Sequence, residues 1–66
     1  MRPTLESLLA DCDRQSITVI TAPLPGTRQG AYCHATRTIV LRRGMPDRLA
    51  VPTLMHEMCH AERGDD

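Results

Sequence analysis

No phenylalanine or tryptophan occurs anywhere in the 66 residues, and Tyr32 is the single aromatic side chain. Any core must therefore be assembled from Leu, Ile, Val, Met and Ala, and it will be thin. Below ~70 to 80 residues one core rarely supplies more than a few kcal/mol without a disulfide, a metal or a partner. A disulfide framework does not fit: Cys12, Cys33 and Cys59 are odd in number, widely spaced and form no CxxC pair. The cysteines read as reduced thiols, which predicts a cytoplasmic protein, and no long apolar run or leader-like N-terminus suggests a membrane span or secretion. A metal or a partner is left as the stabilising device.

Charge narrows the function classes. Lys plus Arg and Asp plus Glu are eight each, so the net charge is zero and a general polyanion-binding role is disfavoured. The charges are unevenly spread, with Arg14, Arg28, Arg37, Arg42, Arg43 and Arg48 opposed by Asp47 alone in the middle of the chain. Solvated surface arginines are the expectation there, without direct nucleic-acid contact.

Periodicity divides the chain into helix, three strands and helix. Thr4 is placed to cap a first helix whose apolar residues Leu5, Leu8, Leu9 and Cys12 recur at helical spacing, with Glu6 in the first turn. Residues 17–21 read as a β-branched strand, ended by the Pro23 and Pro25 break. Residues 30–34 and 38–42 read as a hairpin around Ala35-Thr36-Arg37. From Pro52, which suits a first helical turn, a second helix runs to about Arg63 and ends at Gly64.

That second helix carries His56-Glu57-Met58-Cys59-His60, an HExxH motif. With three His and three Glu in the chain, chance gives such a motif about six times in a thousand. At ~100° per residue, with Leu54 at zero, His56 and His60 fall at about 200° and 240° and can present ring nitrogens to one tetrahedral zinc ion. Leu54, Met58, Met55 and Cys59 form an apolar stripe on the other side, so Cys59 is expected to pack rather than ligate. Glu57, at about 300°, takes the flanking position of a general base toward a zinc-activated water. Cys33 and His34 alternate in direction on a strand, so only one of them can face the site, and neither is assigned there.

These residues carry a resemblance. Ala22-Pro23-Leu24-Pro25-Gly26, Gly30-Ala31-Tyr32, residues 36–41 and residues 53–65 together resemble the ImmA/IrrE family of metallo-endopeptidases, as found in actinobacteria and their phages. The resemblance implies an α+β, zincin-like fold with a small antiparallel or mixed sheet and an HExxH active-site helix. It also implies zinc held by His56 and His60, Glu57 as catalytic base, and a helix-turn-helix repressor or similar regulator as protein substrate. The third ligand in that family is an acidic residue on a later helix. Here the downstream carboxylates are Glu62, on the wrong face at about 80°, and Asp65 and Asp66 beyond Gly64. The chain is therefore expected to be the N-terminal part of such a domain. Two alternatives follow: a catalytically incomplete module that binds the regulator without cutting it, or a SprT-like protease, in which a downstream histidine completes the site.

Overall fold

The computed structural model describes residues 2–64. Its elements are α1 (Leu5–Arg14), β1 (Thr18–Ala22), β2 (Gly30–Cys33), β3 (Thr38–Arg42) and α2 (Asp47–Arg63). Thr4 caps α1 as its sequence position predicts. Its Oγ1 accepts from the Ser7 backbone at 3.1 Å, and its own N–H donates to Ser7 Oγ at 3.0 Å, which satisfies two groups that a helix start leaves open.

The sheet is mixed, in the order β1-β3-β2. β3 pairs parallel with β1 and antiparallel with β2, which makes the continuous apolar run Ile39-Val40-Leu41 the central strand. Alternation then sorts the side chains. Val19, Ile39, Leu41 and Tyr32 share one face with Gly30, and α1 and α2 both cover that face, packing Leu8, Cys12, Leu54 and Ala61 onto it. Among the described residues nothing covers the opposite face, where Ile20 is exposed beside Val40.

Three local expectations shift. The first strand begins one residue later, because Ile17 is a buried plug whose N–H bonds Cys12 O at 2.8 Å and closes the α1 terminus. The hairpin turn spans His34 to Arg37, with Arg37 N–H donating to His34 O and Arg37 itself at φ 49°, so His34 lies in the turn and not on the strand. α2 starts at Asp47, not Pro52. Pro46 is its N-cap, and the backbone carbonyl of Pro46 accepts from Leu49 and Ala50, so Pro52 falls inside the helix. Pro52 forgoes one backbone bond there, and the burial of Ala50 and the packing of Val51 hold the extra turn in place. Gly64, at φ 75°, stops the helix as expected.

Three of the mid-chain arginines tie loops rather than simply standing in solvent. Arg42 donates to the carbonyls of Arg28 and Gly26, Arg37 to that of Gln15, and Arg28 to that of Gly30. The Arg42 and Arg28 contacts brace the loop that delivers Gly30 to the sheet.

Burial pushes the Cys12 thiol above its ordinary value of 9.0. The sign follows: the contribution of this group to stability is present in full below pH 9, and it falls as the pH rises from there through the folded value. Cys33 and Cys59 are exposed. Iodoacetamide is thus expected to label two thiols rapidly in the native chain and the third only after denaturant is added. A third label arriving at the same rate as the others contradicts this placement of Cys12.

Candidate metal centre

In α2 the buried positions are Ala50, Leu54, Glu57 and Ala61. On the helical wheel these centre near −30°, whereas hydropathy alone places the stripe near +70°. Met55 is 43 % exposed and Cys59 is also exposed, which corrects the expectation that both pack. The cause is the shallow sheet beneath. α2 rests its Glu57 side on the start of β2, where Gly30 offers no side chain, and the far side of the helix finds no layer to bury it.

The rotation matters for the histidines. His56 is exposed and His60 half-buried, on the flank of α2 beside Glu57 rather than opposite the packed face. Their rings meet edge to face, with centroids 4.7 Å apart, and the two Nε2 atoms lie 3.1 Å from each other. Two nitrogens each ~2.0–2.1 Å from one ion at the tetrahedral angle would be about 3.3 Å apart. The observed separation of 3.1 Å is also the length of a ring N–H···N hydrogen bond, and it is close to the spacing that two ligands of one zinc ion require.

Glu57 is 7 % exposed, the only charged residue buried among those described. Its stem lies in the core margin, and its carboxylate opens on a cleft of about 360 Å³ lined by Gln29, Gly30, Pro52, Thr53, His56 and Glu57. No buried side-chain oxygen among the described residues lacks a partner, consistent with a carboxylate that reaches the cleft. Gln29, Gly30 and Thr53 were not assigned to the site from sequence. The one available signal was Gly30, since a glycine inside a strand marks a close backbone approach.

The remaining candidates fall elsewhere. Among the described residues no group of three His, Cys, Asp or Glu side chains is placed to hold a metal. His34 lies in the turn after β2, its Nδ1 3.5 Å from Tyr32 Oη and its ring close to Gly64 at the end of α2. Cys33 ends β2 and Glu62 is exposed. Asp65 and Asp66, the possible third ligands, lie outside the described residues. No described helix is long and apolar enough to cross a membrane. No protein-family model, curated protein or solved structure matches this chain.

Proposed function

We propose that this chain supplies two zinc ligands, His56 and His60, and the general base, Glu57, of a zinc-dependent endopeptidase. The observation that carries the reading is the convergence of His56 Nε2 and His60 Nε2 to 3.1 Å on the flank that Glu57 shares. When bound, zinc would polarise a peptide carbonyl and activate a water. Glu57 does the proton work: it accepts a proton from the attacking water and passes it to the leaving amine nitrogen. The burial of its stem restricts where that carboxylate can go. β2 is an edge strand beside the cleft, so an extended peptide added along it would run past Glu57, with main-chain hydrogen bonds supplying affinity. That the peptide belongs to a helix-turn-helix regulator rests on the ImmA/IrrE resemblance.

One observation favours a second reading, a regulator-binding module without turnover: the third metal donor is absent from the described residues. The two separate cleanly. Zinc per chain is measured by mass spectrometry for the parent and for a His56→Ala/His60→Ala double variant, and cleavage of a repressor encoded beside the chain is followed at saturating zinc. The endopeptidase predicts about one zinc ion on the parent, none on the double variant, and cleavage by the parent alone. Repressor binding without cleavage selects the second reading, and a parent that takes up no zinc rejects the first.

A further inference from the structure

Gly30 stands at the start of the edge strand β2, on the helix-covered face, opposite Leu41 of the central strand. Every other position of β2 and β3 on that face, Tyr32, Ile39 and Leu41, carries a large buried side chain. Gly30 alone leaves a notch. A Cβ added there would stand 2.9 Å from Thr53 Cγ2, 3.3 Å from the Val40 carbonyl oxygen and 3.4 Å from Glu57 Cγ. Its three neighbours are a stiff β-branched side chain, a sheet carbonyl that cannot move without breaking the ladder, and the stem of the candidate base. The φ of Gly30 is not in the left-handed region. Glycine is thus required here by close approach and not by backbone conformation.

We infer that Gly30 is the positioning residue for Glu57: the missing side chain lets α2 seat Thr53 and Glu57 against β2, and this fixes where the carboxylate enters the cleft. The inference rests on the zinc reading of His56 and His60. Thr53 and Glu57 are one turn apart, and both flank the notch. An alanine at position 30 pushes against Thr53 Cγ2 first and moves that turn of α2 away from the strand. His56 and His60 keep their mutual i, i+4 spacing through such a shift, because both ride on the same helix. Metal affinity and base placement are therefore expected to part company in a Gly30 variant.

Co²⁺ serves as the probe, since its visible absorption reports coordination and its pH titration reports the environment of the metal face. The parent, Gly30→Ala, Gly30→Ala/Thr53→Ser, Gly30→Ala/Thr53→Val and Glu57→Gln chains are titrated alike. Gly30→Ala is expected to bind Co²⁺ within about threefold of the parent while its absorption midpoint moves by half a pH unit or more, in the same direction as in Glu57→Gln. Thr53→Ser, which removes the blocking methyl, restores the parent midpoint; Thr53→Val, which keeps a methyl there, does not. A parent midpoint in Gly30→Ala, or rescue by Val as well as Ser, overturns the inference and leaves the zinc reading intact. A Gly30→Ala chain that unfolds and is not recovered by Thr53→Ser overturns it too, since the obstruction is then the Val40 carbonyl. Failure of the parent itself to bind Co²⁺ removes the zinc reading and the inference together.

Discussion

On the proposed zinc-endopeptidase reading, a Glu57→Gln chain is expected to keep its fold and its zinc and to cleave peptide about 10²–10⁴ times more slowly than the parent, the range that loss of a positioned general base commonly costs. Gln matches Glu in length and shape, so the buried stem still fills the margin above Gly30. What goes is the ability to take a proton. The stability side of the experiment is equally informative. Among the described residues Glu57 makes no ion pair, and its carboxylate opens on the cleft, so the charge itself adds little to the fold. The thermal midpoint of Glu57→Gln is therefore expected to stay close to that of the parent. His60→Ala contrasts with it, losing zinc and cleavage together. Zinc stoichiometry, initial rate and thermal midpoint on the same three proteins check the claim, and a Glu57→Gln chain that cleaves as fast as the parent refutes it.

How much of this was legible in the sequence depends on the range of the interactions involved. Thr4 as a cap, Gly64 as a stop and the pairing of His56 with His60 are set within one helical turn, and all three appear where the spacing puts them. The order helix, three strands, helix is likewise local and holds, as does a sheet of antiparallel or mixed type, which is mixed. The orientation of α2 about its own axis was not legible. It is decided by a glycine more than twenty residues upstream, which draws Glu57 inward and leaves Met55 and Cys59 outside. The early start of α2 escaped for a related reason. Pro52 argues locally for a first turn, and only the burial of Ala50 and the packing of Val51 favour the turn before it. The zincin-like identity, the zinc itself and the regulator substrate come from the motif and the family resemblance, and the biochemical tests above address them.

Leu54→Ala is expected to abolish cooperative folding of the zinc-free chain. Leu54 has no exposed surface and joins Ile39, Tyr32 and Ala61 in a core that contains one aromatic ring. Truncating a fully buried leucine costs about 2.7–5 kcal/mol, the transfer of the lost methyl groups plus the cavity left behind. A domain of this size has about 3–5 kcal/mol in total, so the substitution removes most or all of the margin. Met55→Ala, one residue away but exposed, is expected to stay within about 0.5 kcal/mol of the parent, so the contrast tests the observed rotation of α2 rather than helix propensity. Zinc should then act on the damaged chain by mass action. An ion that binds only the folded state at a hundred times its dissociation constant returns about 2.7 kcal/mol, enough to offset the lower end of the Leu54→Ala cost. Far-ultraviolet circular dichroism with heating, with and without zinc, should show no transition for apo Leu54→Ala and a partly recovered one with metal. Recovery has to vanish when His60→Ala is added, because the same helix that Leu54 anchors to the sheet carries both proposed ligands. A Leu54→Ala chain that melts like the parent would mean that α2 packs on a different face, and with it the placement of Glu57 over Gly30 would fail.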